Sequence, residues 1–259
     1  MSRATSASGP HFRFAHEQMK LSIIVPAYNE EKLLGACLAS VRETLALRPR
    51  PGLESEVVVC DNASTDSTPR IAQDAGAKLV FEPVRRISVA RNSGAAAASG
   101  DWFLFIDADS RLSPAAFEAM LQAAESGRFA GGGCLIDFDR KPWWGAFLVK
   151  TWNLVSLTMR WAAGSFVFCR ADAFKEAGGF PPELAAGEEL GLARALKAWG
   201  KPRGLGFTIL TGPRHVSSGR KCYLYSPWEL IGILLEMAMP PWRGMRDTRI
   251  NRQLYDGRR

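Results

Sequence analysis

Two aspartates separated by one residue, Asp107 and Asp109, follow the apolar run at 102–106. Packing alone gives no reason to end such a run with two acids, whose charges repel unless a cation lies between them. Carboxylates on a turn suit Mg2+ or Mn2+, which prefer oxygen ligands and keep positions open for phosphate. A second acidic pair, Glu188-Glu189, stands at the start of a helical stretch. Acids there are favoured by the helix dipole, and a carboxylate there is equally suited to take a proton as a general base. Two more polar clusters follow apolar runs: Pro26-Ala27-Tyr28-Asn29-Glu30 and Asp61-Asn62-Ala63-Ser64-Thr65-Asp66. Taken singly, Asn29 reads as a helix cap and Asp61-Asn62 as an Asx turn.

The elements that must hold these residues are legible from the pattern. Residues 21–25 form a short apolar run stopped by Pro26, and 57–60, 78–81 and 102–106 repeat that strand signature. Between them lie helical stretches. Leu33, Leu34, Cys37, Leu38, Val41 and Leu45 share one face. Thr68-Pro69 opens a helix that Gly76 closes. Residues 89–99 are alanine-rich, and Ser113-Pro114 opens a helix ended by Gly127. Strand and helix alternate four times, which predicts parallel pairing with crossover helices. The expected class is α/β: a single Rossmann-like domain with a mostly parallel central sheet flanked by helices. In such sheets ligands bind beyond the carboxyl ends of the strands, where three of the polar clusters converge. After residue 129 the rhythm loosens: the glycines at 131–133, the Trp-rich stretch and a strand near 164–169 are less regular. The expected organisation is a flexible tail at 1–19, a domain over 20–225 and an amphipathic, basic extension over 226–259.

Composition narrows the class. The chain has 259 residues, 47% hydrophobic and 23% charged, which is enough to bury a core. Five scattered cysteines form no CxxC pair or Cys/His cluster, so neither a zinc site nor a disulfide framework is expected, and an odd count fits a reducing compartment. Residues 1–19 hold no apolar signal core, and the expected location is cytoplasmic. No GxGxxG follows the first strand and no GxxxxGK[ST] occurs, which argues against nicotinamide-binding and P-loop folds. The missing glycine-rich loop with a basic residue also argues against a nucleotidyltransferase. No run reaches the roughly 18 apolar residues of a membrane span; residues 143–168 are interrupted by Lys150 and Arg160, and 228–242 by Glu229 and Glu236. The net charge is +7, and the last eighteen residues carry six arginines against two aspartates. That tail is either solvated or a contact for the inner face of a membrane. No nucleic-acid partner is expected.

The motifs, in order, resemble those of a family 2 glycosyltransferase of the GT-A fold: residues 24–30, 58–68, Arg91-Asn92-Ser93-Gly94, Phe105-Ile106-Asp107-Ala108-Asp109 and Gly187-Glu188-Glu189-Leu190. The resemblance covers roughly residues 21–200. It implies a transfer, hexosyltransferase-like and inverting, from a nucleotide-diphospho-sugar donor to an acceptor hydroxyl, with a divalent cation as cofactor. It implies that Pro26, Ala27, Tyr28, Glu30 and Asp61 hold the nucleoside. Asp61 would accept a hydrogen bond from the base, and a carboxylate acceptor suits uracil and guanine alike, so UDP and GDP sugars both stay open. Arg91 either contacts the donor or makes a surface ion pair. Asp109 would ligate the metal, with Asp107 and Ala108 at the ribose or Asp107 at the metal through water. Glu189, where the family more often has aspartate, would be the general base beside Glu188. Gly164-Ser165 either meet acceptor or donor sugar or simply pack. His215 is either a metal ligand or an ordinary histidine. Arg214, Arg220 and Lys221 are candidates for the diphosphate once a C-terminal segment closes. The acceptor is either soluble or, at a membrane surface, a polyprenyl phosphate or other lipid. A catalytically dead sugar- or nucleotide-binding module is the alternative class, and the intact Asp107, Asp109 and Glu189 argue against it.

Overall fold

A computed structural model describes residues 18–184 and 187–224. The chain runs β1 (Met19–Ala27), α1 (Leu34–Leu47), β2 (Leu53–Asp61), α2 (Thr68–Asp74), β3 (Lys78–Phe81), α3 (Ile87–Ala97) and β4 (Trp102–Ile106). It continues through β5 (Ser110–Arg111), α4 (Pro114–Glu125), β6 (Phe129–Phe138), α5 (Trp143–Met159), β7 (Phe166–Arg170), α6 (Ala171–Glu176), α7 (Glu188–Gly200), β8 (Gly206–Ser217) and the short α8 (Lys221–Leu224). The strands form one sheet in the order β3-β2-β1-β4-β7-β6-β8-β5. β3, β2, β1 and β4 are mutually parallel, as the alternation predicts. β7 runs against both β4 and β6, while β6 and β8 are parallel to each other.

Both faces of the sheet are covered, so the first strands read as unbroken apolar runs. Period-2 alternation sorts their side chains. Ile23, Val25, Leu104 and Ile106 face α1 and α4, where Leu34, Val41, Phe117 and Leu121 are buried. Ile24, Val58, Phe103 and Phe105 join Phe174, Phe180, Leu192 and Leu196 in the core on the other side. There the rings of Phe105 and Phe180 meet edge to face at 4.9 Å, a favoured aromatic geometry.

The structure differs from the sequence reading in its second half. The glycines at 131–133 lie inside β6, just after a register shift in its pairing with β8. A Cβ on Gly132 would sit 2.6 Å from the Phe168 ring, and one on Gly133 2.5 Å from the Ala162 Cβ. Glycine here admits close packing on β7, at the cost of the strand signature. The Trp-rich stretch is the helix α5. His215 lies within β8, opposite Ile136 of β6, not after a strand. The strand β1 already begins at Met19. The rest of the expected tail, residues 1–17, and the extension at 226–259 lie outside the described residues.

Phe105→Ala should lower the unfolding free energy by about 3–5 kcal/mol, because the cavity sits among rings that cannot relax into it. Urea unfolding followed by circular dichroism measures this; a loss under about 1 kcal/mol would mean the aromatic core is loosely packed.

Candidate functional site

The loops after β1 and β2 are laced together. Ala27 and Asp61 end their strands in register, and the Asn62 amide donates to the Ala27 carbonyl at 2.8 Å. Asn29 does not cap α1. Its φ is +51°, in the left-handed region that asparagine tolerates. Its Oδ1 accepts from the Thr65 amide at 2.8 Å. The residue before α1 is Leu33, without a side-chain cap. The amide of Glu30 donates to Thr68 Oγ1 at 2.8 Å. Asp61 is buried, and its Oδ1 accepts from the Ser64 amide at 3.3 Å, three residues on rather than the two of the Asx turn read from sequence. The Tyr28 ring carries the Arg85 guanidinium 5.0 Å from its centroid. Pro26 and Ala27 end β1 beside Asp61 at the end of β2, and Tyr28 and Glu30 follow in the loop.

Arg91 is the centre of the second cluster. It is 1% exposed, so the surface ion pair weighed from sequence does not describe it. Its Nη2 donates to Asp107 Oδ1 at 2.8 Å and to the Gly164 carbonyl at 3.0 Å, and its Nη1 pairs with Glu188. Its guanidinium lies 5.1 Å from the Phe180 ring centroid. Burial by itself would disfavour the charge; Asp107, Glu188 and Glu189 outweigh it and hold the guanidinium charged. Four chain segments meet at this one group: α3, the end of β4, the turn before β7, and the start of α7. The rest of the motif carrying Arg91 docks the same region. Asn92 clamps Phe180, donating to its carbonyl at 2.8 Å and accepting from its amide at 2.9 Å.

Glu188 and Glu189 both occupy the first turn of α7, and the cluster separates their chemistry. Glu188 is buried and committed to Arg91. Glu189 lies beside it, and its pKa is raised well above the ordinary carboxylate range. Desolvation is the main cause and the neighbouring Glu188 charge adds to it, while Arg91 opposes. Gly164 is the floor between them: a Cβ there would come within 3.0 Å of Arg91 Nη2 and 3.5 Å of Glu189 Cδ. Ser165 is buried at the entry to β7.

The two aspartates after β4 diverge. Asp107 turns to Arg91, while Asp109 accepts from Ser217 Oγ at 3.3 Å and pairs with Arg220 Nη2 at 3.2 Å. Ala108 between them is buried. Arg220 also grips Glu30, with Nη1 at 2.9 Å from Oε2 and Nη2 on Oε1. Of the basic residues proposed for the diphosphate, Arg220 therefore reaches the site by bridging the first and fourth strand ends. His215 is fully buried against the Phe166 ring at 5.0 Å, and neither imidazole nitrogen has a hydrogen-bond partner among the described residues. Burial pushes its pKa down to about 4, so the ring keeps a free lone pair at neutral pH. Among the described residues no three His, Cys, Asp or Glu side chains are gathered to hold a metal. By donor type, however, two carboxylates and an unpartnered neutral imidazole fit a divalent cation.

Sequence reasoning missed three contributors: Ser217 on Asp109, Phe180 under Arg91, and Arg85 on Tyr28. Each pairing joins distant positions whose types are unremarkable where they stand.

The family model described as "Glycosyl transferase family 2" matches residues 22–175. A TPR repeat-containing protein of Synechococcus elongatus is 42% identical over 99 residues, 38% of this chain and 22% of that protein. The matches span a third or less of the length of the curated relatives. Among solved structures, residues 1–349 of TarS from S. aureus in complex with UDP-GlcNAc superpose with a TM-score of 0.61 at 22% identity, over 78% of this chain and 59% of that one. The mannosyltransferase PcManGT from Pyrobaculum calidifontis in complex with GDP-Man and Mn2+ gives 0.57 at 23% identity, over 78% and 57%. At these identities the likeness is one of fold.

Replacing Arg91 by Met should destabilise the protein by about 3–5 kcal/mol, because Asp107 and Glu188 are left without their cation in a buried setting. Arg91→Lys should rescue little, having no fork to reach three acceptors. Urea unfolding of both variants tests this; a loss under about 1 kcal/mol for Arg91→Met would mean the cluster does not depend on this charge.

Proposed function

The chain belongs to glycosyl transferase family 2, and from that premise we propose that it transfers a sugar from a nucleotide-diphospho-sugar to an acceptor hydroxyl with inversion. The single observation that carries the reading is the pairing of Glu188 with Arg91, which leaves Glu189 as the uncommitted carboxylate of the pair.

In this mechanism Pro26, Ala27, Tyr28 and Glu30 line the nucleoside, and Asp61 accepts a hydrogen bond from the base. The UDP-GlcNAc and GDP-Man complexes of the two structural neighbours support a nucleotide-sugar donor and leave both bases open. Asp107 and Ala108 lie at the ribose. A divalent cation would be held by Asp109, with Asp107 reached through water, and when bound would act as a Lewis acid neutralising the diphosphate leaving group; His215, the third candidate ligand, is not gathered with them. The Mn2+ of the mannosyltransferase complex supports that reading. Arg91 keeps Asp107 and Glu188 in place and so acts through them. Glu189 accepts the proton of the acceptor hydroxyl as that oxygen attacks the anomeric carbon from the face opposite the diphosphate. Gly164 and Ser165, at the entry to β7 and close to Glu189, are the candidates for contact with the acceptor or donor sugar. The sequence alternative of a lipid-phosphate acceptor at a membrane rested on the Trp-rich segment, which is α5, and on the Arg-rich tail, which lies outside the described residues.

Glu189→Gln should lower kcat by about 10²–10⁴-fold with donor affinity nearly unchanged; wild-type turnover in that variant would remove the base assignment. Because Glu189 must be deprotonated to work and its pKa is raised, kcat/KM should fall as pH drops through a value well above the roughly 4.3 of a free glutamate. An acid limb near that free value would mean another group takes the proton.

A thermal-shift screen of UDP- and GDP-sugars with and without Mn2+ identifies the donor. One donor class should raise Tm, and only with the metal, since a ligand that binds only the folded state stabilises it. No response from any donor would count against the transfer itself.

A further inference from the structure

Helix α5 leaves a row of large apolar side chains on its outer face. The residues it buries against the body of the protein are Gly145, Val149, Asn153 and Ser156. Asn153 holds the helix to β6 by polar bonds: its Oδ1 accepts from the Ile136 amide at 3.1 Å and its Nδ2 donates to the Ile136 carbonyl at 2.9 Å. Ser156 Oγ donates to the Trp161 carbonyl at 2.6 Å. Trp152 packs half-buried against Leu184 and Leu190, but a row of other large apolar side chains points away from the body. Trp143 is 86% exposed, Phe147 67%, Leu154 63% and Leu157 41%. With Lys150 they are spaced four, three, four and three residues apart, which on an α-helix is one continuous stripe. A soluble helix arranges these two faces in the opposite sense, so this stripe calls for an apolar partner.

We propose that the outer face of α5 docks on an anionic lipid surface, lying in its plane. Charge decides between partners. The helix contains no acid, Lys150 sits in the middle of the stripe, and the exposed Arg140 and Arg160 stand just beyond its ends. A second copy of the chain is a poor fit, because a two-fold contact centred on this stripe would press Lys150 against its own mate. A bilayer interface accepts the apolar side chains while Lys150 extends its ammonium to the headgroups. Trp143, at the helix start, has the amphipathic ring that favours that depth. The described chain ends next to the same surface, with Arg140 5.8 Å from the Tyr223 ring centroid. From there it continues into the apolar 228–242 stretch and the six arginines beyond. Among the described residues no helix is long and apolar enough to cross a membrane, so the contact is one of surface. It does not depend on the transferase reading.

The test uses the full chain and its Phe147→Glu/Leu154→Glu double variant in co-sedimentation with phosphatidylcholine vesicles, with and without phosphatidylglycerol. Both side chains are exposed, so the variant should keep the wild-type Tm. Wild type should bind the phosphatidylglycerol vesicles and release in high salt, and the variant should bind at least about tenfold more weakly. Wild type that ignores both vesicles overturns the proposal. So does a variant that binds as well as wild type, the result expected if residues 226–259 carry all the membrane affinity. Light scattering that finds a wild-type dimer, a monomeric variant and no vesicle binding by either would assign the stripe to a second copy instead. If neither protein binds vesicles and the substitutions speed hydrogen exchange in 228–242, the chain's own C-terminal segment covers the stripe, and the proposal falls.

Discussion

A buried guanidinium cannot persist without acceptors, because removing one charge from water costs several kcal/mol. Arg91 meets that constraint by drawing in Asp107, Glu188 and the carbonyl of Gly164. Each acceptor belongs to a different segment, so satisfying one charge fixes four pieces of backbone at once. The fixation also sorts the acids. Adjacent residues on a helix project about 100° apart, so when Glu188 turns to Arg91, Glu189 must face elsewhere. Its raised pKa follows from that arrangement: it shares the dry environment of the cluster without its own share of the arginine.

A second guanidinium applies the same logic at the other side of the site. Arg220 bridges Glu30 after β1 and Asp109 after β4, and its side chain is less buried than that of Arg91. The Asp107-Ala108-Asp109 turn is thus resolved electrostatically by two arginines, one per carboxylate. The two are not equivalent. Asp107 is locked by a partner that burial cannot release. Asp109 is held by a residue near the chain's described C-terminal end, and any cation that takes Asp109 competes with Arg220 for the same oxygens.

The first half of the fold was legible in the sequence because β1, β2, β3 and β4 are covered on both faces or capped by clear turn residues, and each strand's end announces itself with a polar cluster. The second half was not. Glycines fill β6 because Phe168 and Ala162 press on it, and a strand made of glycine has no strand signature. The residues that cap and lace the site were misread for a related reason. Asn29 looks like a cap, but its left-handed backbone aims its side chain at Thr65, 36 residues away. Arg91 read as either a donor contact or a surface ion pair, and not as the centre of a buried cluster, because its partners are 16, 73 and 97 residues distant. No local pattern encodes such pairings; only the sheet order that brings β4 beside β7, and α7 over them, does.

Glu189 and Gly164, far apart in the sequence, fit against each other in the structure. Glu189 carries one methylene more than the aspartate commoner in the family, and Gly164 carries no side chain at all. The carboxyl of Glu189 and the guanidinium of Arg91 both lie in the space that a Cβ at 164 would enter. A longer acid on α7 needs room at the turn before β7, and the same bare backbone presents the carbonyl that Arg91 uses as its third acceptor. Gly164 is thus tightly packed against Arg91 and Glu189. An alanine there would press on the charge that orders the whole cluster before it touched any sugar.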